Sequence, residues 1–310
     1  MDLKQLEYMV AIADCKNISR AADQLFISQS GLNHQLIKLE NELGTQLFRR
    51  NNHHLELTAA GKIYVENARD ILQIKKRTYA QIGDLTNNNT REIGFGLPME
   101  HGIDMFGEVF PIFHERYPGV TFKLQEKLVK EQHEMLMTGK IDVGFVMLGE
   151  PDKWKLNYVH LANERLVLGI PRNHPIAQKY GANPGEPFPT IDLALLHDEK
   201  FSLMYTGSTM RRVMQPGFDQ AGFVPQIMFE TSMNNMLCTM VNFGLCCTIL
   251  PMSQAKKHDN VCWFFMTFDP VWEICMVYNP DFPLTTPVSY FIELGQEYGK
   301  KLEKRMEKFY

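Results

Sequence analysis

The chain has 310 residues, of which 45% are hydrophobic and 22% charged, which is long enough for two or three domains and excludes a disordered or fibrous protein. The formal net charge of −4 at pH 7 excludes a generally basic nucleic-acid coat, but it leaves DNA binding open because affinity depends on where the Lys and Arg residues lie. Residues 1–7 carry charges where a secretory signal would need an apolar stretch, and the apolar runs are too short to span a membrane. We therefore expect a cytoplasmic protein with no membrane partner.

Two short helices are predicted at the start of the chain, followed by a tight turn. Apolar residues at helical spacing between Leu3 and Ala13 indicate the first helix. Ser19 is a good N-cap, and we expect the second helix to begin there. The turn that follows is placed at Phe26 and Ile27.

The third predicted helix, residues 29–43, has the pattern of a helix that reads DNA. Ser28 is expected to cap its N-terminus and Gly44 to end it. Two helices joined by a short turn, the second with a polar face, form the geometry in which one helix enters the major groove. Leu32, Leu36, Leu39 and Leu43 form the apolar face, whereas Gln29, Ser30, Asn33, His34 and Lys38 form the polar face.

A small hairpin and a long helix are predicted next. Residues 46–50 lead into a turn-rich tip at residues 51–54, and the alternation at residues 55–57 indicates a second strand, so the hairpin would be a wing. Lys38, Arg49 and Arg50 could reach phosphates from this part of the chain. Thr58 is expected to cap the long helix, and the polar tract at residues 86–90 is the predicted domain boundary.

From residue 91 onwards, short apolar strands alternate with helical segments. This order is typical of a βαβ array with a mostly parallel sheet and predicts an α/β domain. The predicted strands cover residues 93–97, 120–124, 141–147, 165–170, 201–204, 226–229, 246–250, 262–265 and 274–278. The predicted helices cover residues 105–115, 131–137, 210–221 and 234–242, and a last one runs from residue 288 towards residue 310.

Blocks of sequence spread along the whole chain follow one known pattern. They are residues 19–32, 39–44, 47–48 and 57–61, and further on residues 142–145, 166–171, 174–175, 221–225 and 241–251. Together these blocks resemble the signature of the LysR-type transcriptional regulators.

The resemblance implies a complete architecture. It consists of a winged helix-turn-helix DNA-binding domain over residues 1–58, a linker helix that dimerises over residues 59–90, and an α/β effector domain over residues 91–310. That effector domain would resemble a periplasmic binding protein, with one subdomain at residues 91–161 and 267–310 and the other at residues 162–266. The implied partners are a double-stranded DNA operator, a small-molecule effector and copies of the chain in a homodimer and homotetramer, and no cofactor or metal is implied.

Carried over by position, the resemblance also implies which residues contact DNA. They are Ser28, Gln29, Ser30, Asn33, His34, Lys38, Arg50 and His53, with the helix residues facing base edges and Arg50 holding the backbone beside the wing. The chain departs from the family at Ser30, Asn33 and His34, where Pro or Ser, Ser, and Arg or Lys are common, and at His53 and His54, where arginines are usual. Histidines at these places predict that operator affinity rises as the pH falls towards 6, because a protonated ring adds a phosphate partner.

The effector is expected at the carboxyl ends of strands, where helix N-termini point free N–H groups into a cleft. Loops at such ends carry Met99, Glu100, Thr206, Ser208, Thr231 and Ser232, and the resemblance places Val129 and Met147 on the cleft wall. Ser208 and Thr231 could equally be helix caps, which does not exclude ligand contact.

Glu100 stands where the family often has Ser or Thr. Its charge would repel a carboxylate unless another group offsets it, which predicts a neutral, aromatic or cationic effector. The alternative is that Glu100 points to solvent.

Three other functions are weighed against this interpretation. A redox switch could use Cys246 and Cys247, but adjacent cysteines pair poorly and lie in a predicted buried strand, so packing is favoured. An enzyme would need a local signature, and the sequence has no G-x-S-x-G, P-loop, H-E-x-x-H or complete G-x-G-x-x-G motif. A transport binding protein would need a secretion signal and would have no use for a helix-turn-helix, so no enzymatic or transport activity is expected.

Overall fold

A computed structural model describes residues 2–51, 54–85, 91–183, 185–255, 260–282 and 284–307. The chain divides into two compact units, Met1–Asn88 and Asn89–Tyr310. The polar tract predicted as the boundary lies outside the described residues. None of the described helices has the length and apolar character needed to cross a membrane.

The first unit is the predicted helix-turn-helix with a wing and a long helix. Its elements are α1 (Leu3–Cys15), α2 (Ile18–Gln24), α3 (Gln29–Leu43), β1 (Phe48–Asn51), β2 (His54–Leu57) and α4 (Ala59–Leu85). The antiparallel pair β1 and β2 forms the wing. Ser28 and Gly44 cap α3 as predicted, and the side chain of Thr58 accepts the N–H of Gly61 at 3.0 Å in the first turn of α4.

Two sequence-based details of this unit are wrong. The N-cap of α2 is Asn17 and not Ser19, because the Asn17 side-chain oxygen accepts the Arg20 N–H at 3.1 Å, so the cap lies two residues earlier than predicted. Leu43 is 43% exposed, whereas Leu32 and Leu39 are fully buried. The buried stripe ends before the last turn of α3.

The second unit carries the predicted alternation of strands and helices. Its strands are β3 (Arg91–Leu97), β4 (Val120–Glu126), β5 (Val143–Leu148), β6 (Asn157–Pro171), β7 (Thr190–Ile191), β8 (Lys200–Met204), β9 (Gln226–Thr231), β10 (Cys247–Pro251), β11 (Val261–Met266) and β12 (Val271–Tyr278). Its helices are α5 (His101–Arg116), α6 (Val129–Met137), α7 (Pro175–Tyr180), α8 (Thr209–Ala221), α9 (Asn234–Asn242) and α10 (Thr286–Met306), with 3₁₀ turns at Glu150–Asp152, Leu193–Leu196 and Met252–Gln254. The short elements β7 and α7 had no counterpart in the predicted order.

The sheet is mixed, so the expectation of a mostly parallel sheet is wrong. Its strand order is β4-β3-β5-β12-β6-β10-β8-β9, with β11 paired to β6 and β7. Parallel pairs join β3 to β4 and β5, β8 to β9 and β10, and β7 to β11. By contrast, β12 runs antiparallel to β5 and β6, and β10 and β11 run antiparallel to β6. The strand β6 runs antiparallel to each of its partners β10, β11 and β12, so the pairs that join the two parallel groups of strands are antiparallel.

The strand β6 lies between β12 and β10 in the strand order and separates the sheet into two portions. Its first part pairs with β12, on the side of β3, β4 and β5. Its second part pairs with β10 and β11, on the side of β8 and β9. We call these the β3 portion and the β8 portion of the sheet.

Candidate DNA interface and strand-end cleft

The N-terminal turn of α3 is closed by its own side chains. The Ser28 Oγ accepts the Gly31 N–H at 3.1 Å, and the Ser30 hydroxyl donates to it at 3.3 Å. A Cβ atom at Gly31 would come within 2.9 Å of the same oxygen, so a larger residue there would require the Ser28 side chain to shift. The cap satisfies one backbone donor and leaves the end of the helix open to an outside partner.

The predicted DNA contacts of α3 share one face. The side chains of Ser28, Gln29, Ser30, His34 and Lys38 are exposed and that of Asn33 is half-buried. Opposite them, the apolar face packs on buried residues of α1 and α2. His53 and the side chain of Arg50 lie outside the described residues.

The turn before α3 holds Phe26 in the left-handed backbone region, with a φ of 55°, and leaves 95% of the residue exposed. The Phe26 N–H bonds to the Asp23 carbonyl at 3.2 Å and the Ile27 N–H to the Ala22 carbonyl at 3.0 Å. This is the Schellman motif, in which glycine is the usual left-handed residue. An exposed aromatic ring therefore lies directly before the face that carries the predicted DNA contacts.

A carboxylate of α3 fixes the start of the wing. The Glu40 Oε1 accepts the N–H of Leu47 at 2.7 Å and that of Phe48 at 3.2 Å. The wing strands carry a second carboxylate, Glu56, whose oxygens bind Arg49 at 3.1 Å and Asn51 at 2.8 Å. Arg49, which the sequence suggested as a phosphate contact, thus lies against Glu56 across the hairpin.

The long helix α4 is joined to α1 and also carries an exposed apolar stripe. Ion pairs bind Arg69 to Asp14 at 2.5 Å and Lys75 to Glu7 at 2.8 Å. Elsewhere on α4 the apolar residues Ile63, Ile74, Tyr79 and Ile82 are between 52% and 72% exposed.

In the second unit, the predicted effector contacts lie on loops at the carboxyl ends of parallel strands. Met99 and Glu100 follow β3, Thr206 and Ser208 follow β8, and Thr231 ends β9 with Ser232 after it. Val129 is the first residue of α6, which follows β4, and Met147 lies near the end of β5. We call this group of loops the strand-end cleft.

Glu100 connects the two sides of the strand-end cleft. Its Oε2 accepts the N–H of Asn234 at 2.7 Å, and its Oε1 accepts the N–H of Asn235 at 2.9 Å. Both donors belong to the first turn of α9, on the β8 portion, whereas Glu100 follows β3. The half-buried carboxylate is therefore bound to the start of α9 and is not free in solvent.

Further contacts join the loops of the two portions of the sheet. The guanidinium of Arg212 on α8 binds the Asp152 carboxylate through Nε at 2.8 Å and Nη2 at 2.7 Å. Burial, and after it the nearby carboxylate of Glu131, raise the pKa of Tyr205. The loops of the two portions therefore face each other closely.

The hydroxyl residues of the cleft are used locally. The Ser208 Oγ accepts the Arg211 N–H at 3.1 Å as the N-cap of α8, and the Thr231 Oγ1 accepts the Met233 N–H at 3.2 Å. The Thr206 hydroxyl donates to Glu230 at 3.1 Å, whereas Ser232 is exposed. Met147 is 6% exposed and Met99 is 44% exposed, so Met99 is the more accessible apolar contact.

A buried ionic pair, which sequence reasoning missed, lies under α5. The Nε2 of His101 is 3.2 Å from the Glu164 Oε2 and 3.2 Å from the Ser253 Oγ. The same carboxylate also accepts the Trp272 indole N–H at 3.1 Å and the Ser253 N–H at 2.8 Å. Burial alone would lower the pKa of His101, but the Glu164 carboxylate attracts the proton and raises that pKa above its ordinary value. Burial raises the pKa of Glu164, but the His101 imidazole and the hydrogen bonds from Ser253 lower it more. The net pKa of Glu164 therefore lies below its ordinary value.

A cavity of about 390 Å³ opens above this pair, away from the strand-end cleft. It lies between α5, α10 and the 3₁₀ turn at Met252–Gln254, and its walls include His101, Asp104, Ser253, Tyr298 and Arg305. Its lining shares no residue with the predicted effector contacts.

The surroundings of the cysteines in the second unit disfavour their oxidation. Cys238, Cys246, Cys247, Cys262 and Cys275 are all buried. Burial raises the pKa of Cys246 and Cys247, and the Cys246 thiol donates to the Ser202 hydroxyl at 3.1 Å. The thiolate needed for rapid oxidation is therefore disfavoured at both adjacent cysteines.

One cluster of the described residues has the composition of a metal site. His160, Glu273 and Cys275 bring ligand atoms within 4.8 Å of one another. The Lys153 ammonium, however, lies 2.7 Å from the Glu273 carboxylate, and burial raises the pKa of the Cys275 thiol to about 12. The Lys153 ammonium already neutralises the Glu273 carboxylate, which disfavours a metal ion at this cluster.

Comparison with known families gives two matches that together cover most of the chain. Residues 3–62 match the model "Bacterial regulatory helix-turn-helix protein, lysR family", and residues 87–300 match the model "LysR substrate binding domain".

Individual proteins are similar over nearly their full length. The uncharacterized HTH-type transcriptional regulator YcgK of Bacillus subtilis is 28% identical over 96% of this chain and 94% of its own. A hydrogen peroxide-inducible genes activator of Dickeya chrysanthemi is 27% identical over 99% of this chain and 98% of its own.

Two solved structures have the same fold. Full-length OxyR of Pseudomonas aeruginosa covers 96% of this chain and 98% of its own with a TM-score of 0.68 and 21% identity. The LysR family regulator CbnR complexed with its target DNA covers 96% of this chain and 99% of its own with a TM-score of 0.60 and 24% identity.

Proposed function

Because the chain belongs to the LysR family of DNA-binding transcriptional regulators, which carry an effector-binding domain and are not enzymes, we propose that it reads its operator with α3 and responds to a small molecule in the strand-end cleft. The observation that carries the proposal is the exposed polar face of α3, capped by Ser28 and supported by a buried apolar face. A capped helix N-terminus with short polar side chains fits the major groove.

The residues divide into base contacts and backbone contacts. Gln29 and Asn33 carry amides that pair bidentately with adenine, and Ser30 and His34 lie on the same face. Lys38, with Arg50 and His53 at the wing, supplies charge to the phosphates, which adds affinity without sequence information. The histidine departures at positions 34, 53 and 54 also lead us to propose that operator affinity rises as the pH falls towards 6.

We further propose that two copies act together. The domain division at residues 1–58, 59–90 and 91–310 makes α4 the linker that pairs two chains into a homodimer, and two dimers form a homotetramer on the operator. The exposed isoleucines of α4 support this, since isolated apolar stripes on a surface helix are stabilised by a partner helix. With DNA as its partner, the protein works in the cytoplasm.

The signal is a bound ligand and not an oxidant. The relative from Dickeya chrysanthemi is named for hydrogen peroxide. The family resemblance places the reactive cysteines of peroxide-sensing members near the loop from Thr206 to Arg212, which has no cysteine in this chain, and Cys246 and Cys247 are buried. Mild peroxide is therefore expected to leave operator affinity unchanged. A loss of affinity that dithiothreitol reverses would overturn this part of the proposal.

Selection of random DNA duplexes by the full chain at physiological salt tests the DNA proposal. We expect a preferred sequence, which footprinting of the adjacent intergenic DNA with and without candidate metabolites should then locate. Asn33→Ala should relax preference at one base position by about 1–3 kcal/mol, whereas Lys38→Ala should weaken all duplexes alike and reduce the salt slope by about 1. No preference among the duplexes would contradict the proposal.

A further inference from the structure

The carboxylate of Glu100 occupies the position at α9 where an anion would bind. The first N–H groups of a helix have no partner inside the helix and carry about half a positive charge between them, which favours anions. Both Glu100 oxygens lie within 2.9 Å of such groups, those of Asn234 and Asn235. The chain thus fills its own anion position with a side chain that is 134 and 135 residues away in sequence.

Among the described residues, no other carboxylate or side-chain cap binds the first N–H groups of α9. The N-cap residue Met233 makes no side-chain cap hydrogen bond, and the first turn of α9 contains no acidic residue. Glu100, in turn, makes no cap hydrogen bond at α5, the helix that it precedes. Its side chain is therefore directed at α9 and not at its own helix.

A second observation at the same helix end points to a ligand. Asn234 is only 4% exposed, and its Oδ1 has no hydrogen-bond partner among the described residues. A buried carbonyl oxygen without a donor is unfavourable, so the site is incomplete as it stands. A ligand that brings an N–H or O–H group would complete it.

We infer that Glu100 determines the ligand class of the strand-end cleft. Its tethered carboxylate takes the anion position at α9, so that the cleft accepts a neutral or cationic ligand with a hydrogen-bond donor for Asn234. Removal of this carboxylate opens the position to a free carboxylate. The inference rests on the proposed function in one respect, namely that the cleft is the effector site.

Malonate is the probe, because it offers free carboxylates and no hydrogen-bond donor at neutral pH. Calorimetry on the full chain should give no measurable binding, and the Glu100→Ala chain should bind malonate at least about tenfold more tightly, because hydrogen bonds to a charged group are the stronger kind. Glu100→Gln should resemble the unsubstituted chain, because the amide fills the same space. Glu115→Ala, which removes an exposed carboxylate of α5, is the matched control and should change nothing.

Two results would overturn the inference. One is that malonate binds the unsubstituted chain as tightly as the Glu100→Ala chain, which would mean that a free anion displaces Glu100. The other is that neither binds it, which would mean that the α9 terminus is not an anion position. Should Glu100→Ala fail to fold, Glu100→Ser carries the same expectation and keeps a polar side chain.

The same samples distinguish this inference from the proposed function. Random-duplex selection is run on the unsubstituted chain and on the Glu100→Ala chain. A preserved DNA preference with a failed malonate result contradicts only the role of Glu100. An absent DNA preference in the unsubstituted chain contradicts the proposed function itself.

Discussion

At the scale of single residues, Phe26 is a case of backbone strain without burial. A left-handed conformation costs a residue other than glycine about 1–2 kcal/mol, and asparagine tolerates it better than other side chains. Phe26 holds this conformation while it is almost fully exposed, so burial of the ring within the first unit does not offset the strain. A residue retained under strain at the edge of a binding face is a candidate for contact with the partner.

Phe26→Asn is therefore expected to stabilise the first unit by about 0.5–1 kcal/mol, measured by urea denaturation. The control is Phe243→Asn, which also replaces an exposed ring but at a φ of −77°, where no strain is released. Equal effects of the two substitutions would show that exposure of the ring, and not the backbone, is what matters.

The helix caps could be predicted from the sequence because their signals are local. Ser28 and Gly44 bound α3 because a cap acts within three or four residues of itself, and such a signal is legible in a short stretch of chain. Glu100 is the contrasting case, since its charge was noticed but its partners lie on another strand's helix. Nothing near residue 100 in the sequence indicates α9.

At the scale of elements, Gly61 controls how α4 meets the wing. A Cβ atom at this position would lie 1.9 Å from the Leu47 carbonyl oxygen, which is a backbone atom and cannot turn aside. The same carbonyl accepts the Thr58 N–H at 3.0 Å. The close approach therefore joins the start of α4 to the strand that begins the wing.

Gly61→Ala is expected to destabilise the first unit by about 1–3 kcal/mol, because overpacking against backbone outweighs the gain of about 0.5–1 kcal/mol that alanine usually brings to a helix interior. Gly107→Ala in α5 is the matched control, since nothing lies within 4 Å of a Cβ there and stability should rise. Thermal unfolding of the two variants measures both effects, and the same sign in both would contradict the argument.

The elements were predicted more successfully than their pairing. The periodicity of apolar residues indicated nearly every helix and strand, because it depends on neighbours a few residues apart. The direction of β12 and of β6 depends on which strands they meet after long intervals of chain, and the alternating order of elements suggested parallel pairs where antiparallel ones form. The short elements β7 and α7 lack a full period of either kind.

At the scale of the whole molecule, the exposed stripe on α4 bears on assembly. Ile63, Ile74 and Ile82 fall within about 100° of one another around the helix axis, at 100° per residue. Ile74→Glu places a charge within the stripe and should therefore convert the proposed dimer to a monomer in sedimentation velocity. Lys62→Glu puts the same charge elsewhere on α4 and should leave the dimer intact; dissociation by both variants would contradict the role of the stripe.

The buried pair of His101 and Glu164 makes the stability of the second unit depend on pH. A raised histidine pKa contributes stability that is complete below the unfolded value of about 6.5 and is lost as the pH rises through the folded pKa. A lowered glutamate pKa contributes stability that is complete above about 4.3 and is lost as the pH falls through the folded pKa. Both contributions are therefore complete between about pH 4.3 and about pH 6.5. The carboxylates of Glu100 and Asp104 also raise the pKa of His101.

Stability of the second unit is therefore expected to decline above neutral pH, and His101→Gln should flatten this decline. Denaturation series at several pH values measure it, with the exposed His114→Gln as the control. An unchanged slope in His101→Gln would mean that other groups set the pH dependence.

The long strand β6 limits how the second unit can move. It is 15 residues long and pairs with β12 along its first part and with β10 and β11 along its second. Because β6 is continuous through both portions, we expect rotation of one portion against the other to twist this hydrogen-bonded strand. A ligand bound in the proposed effector site would therefore act on the rest of the chain through a small, reversible twist of this strand.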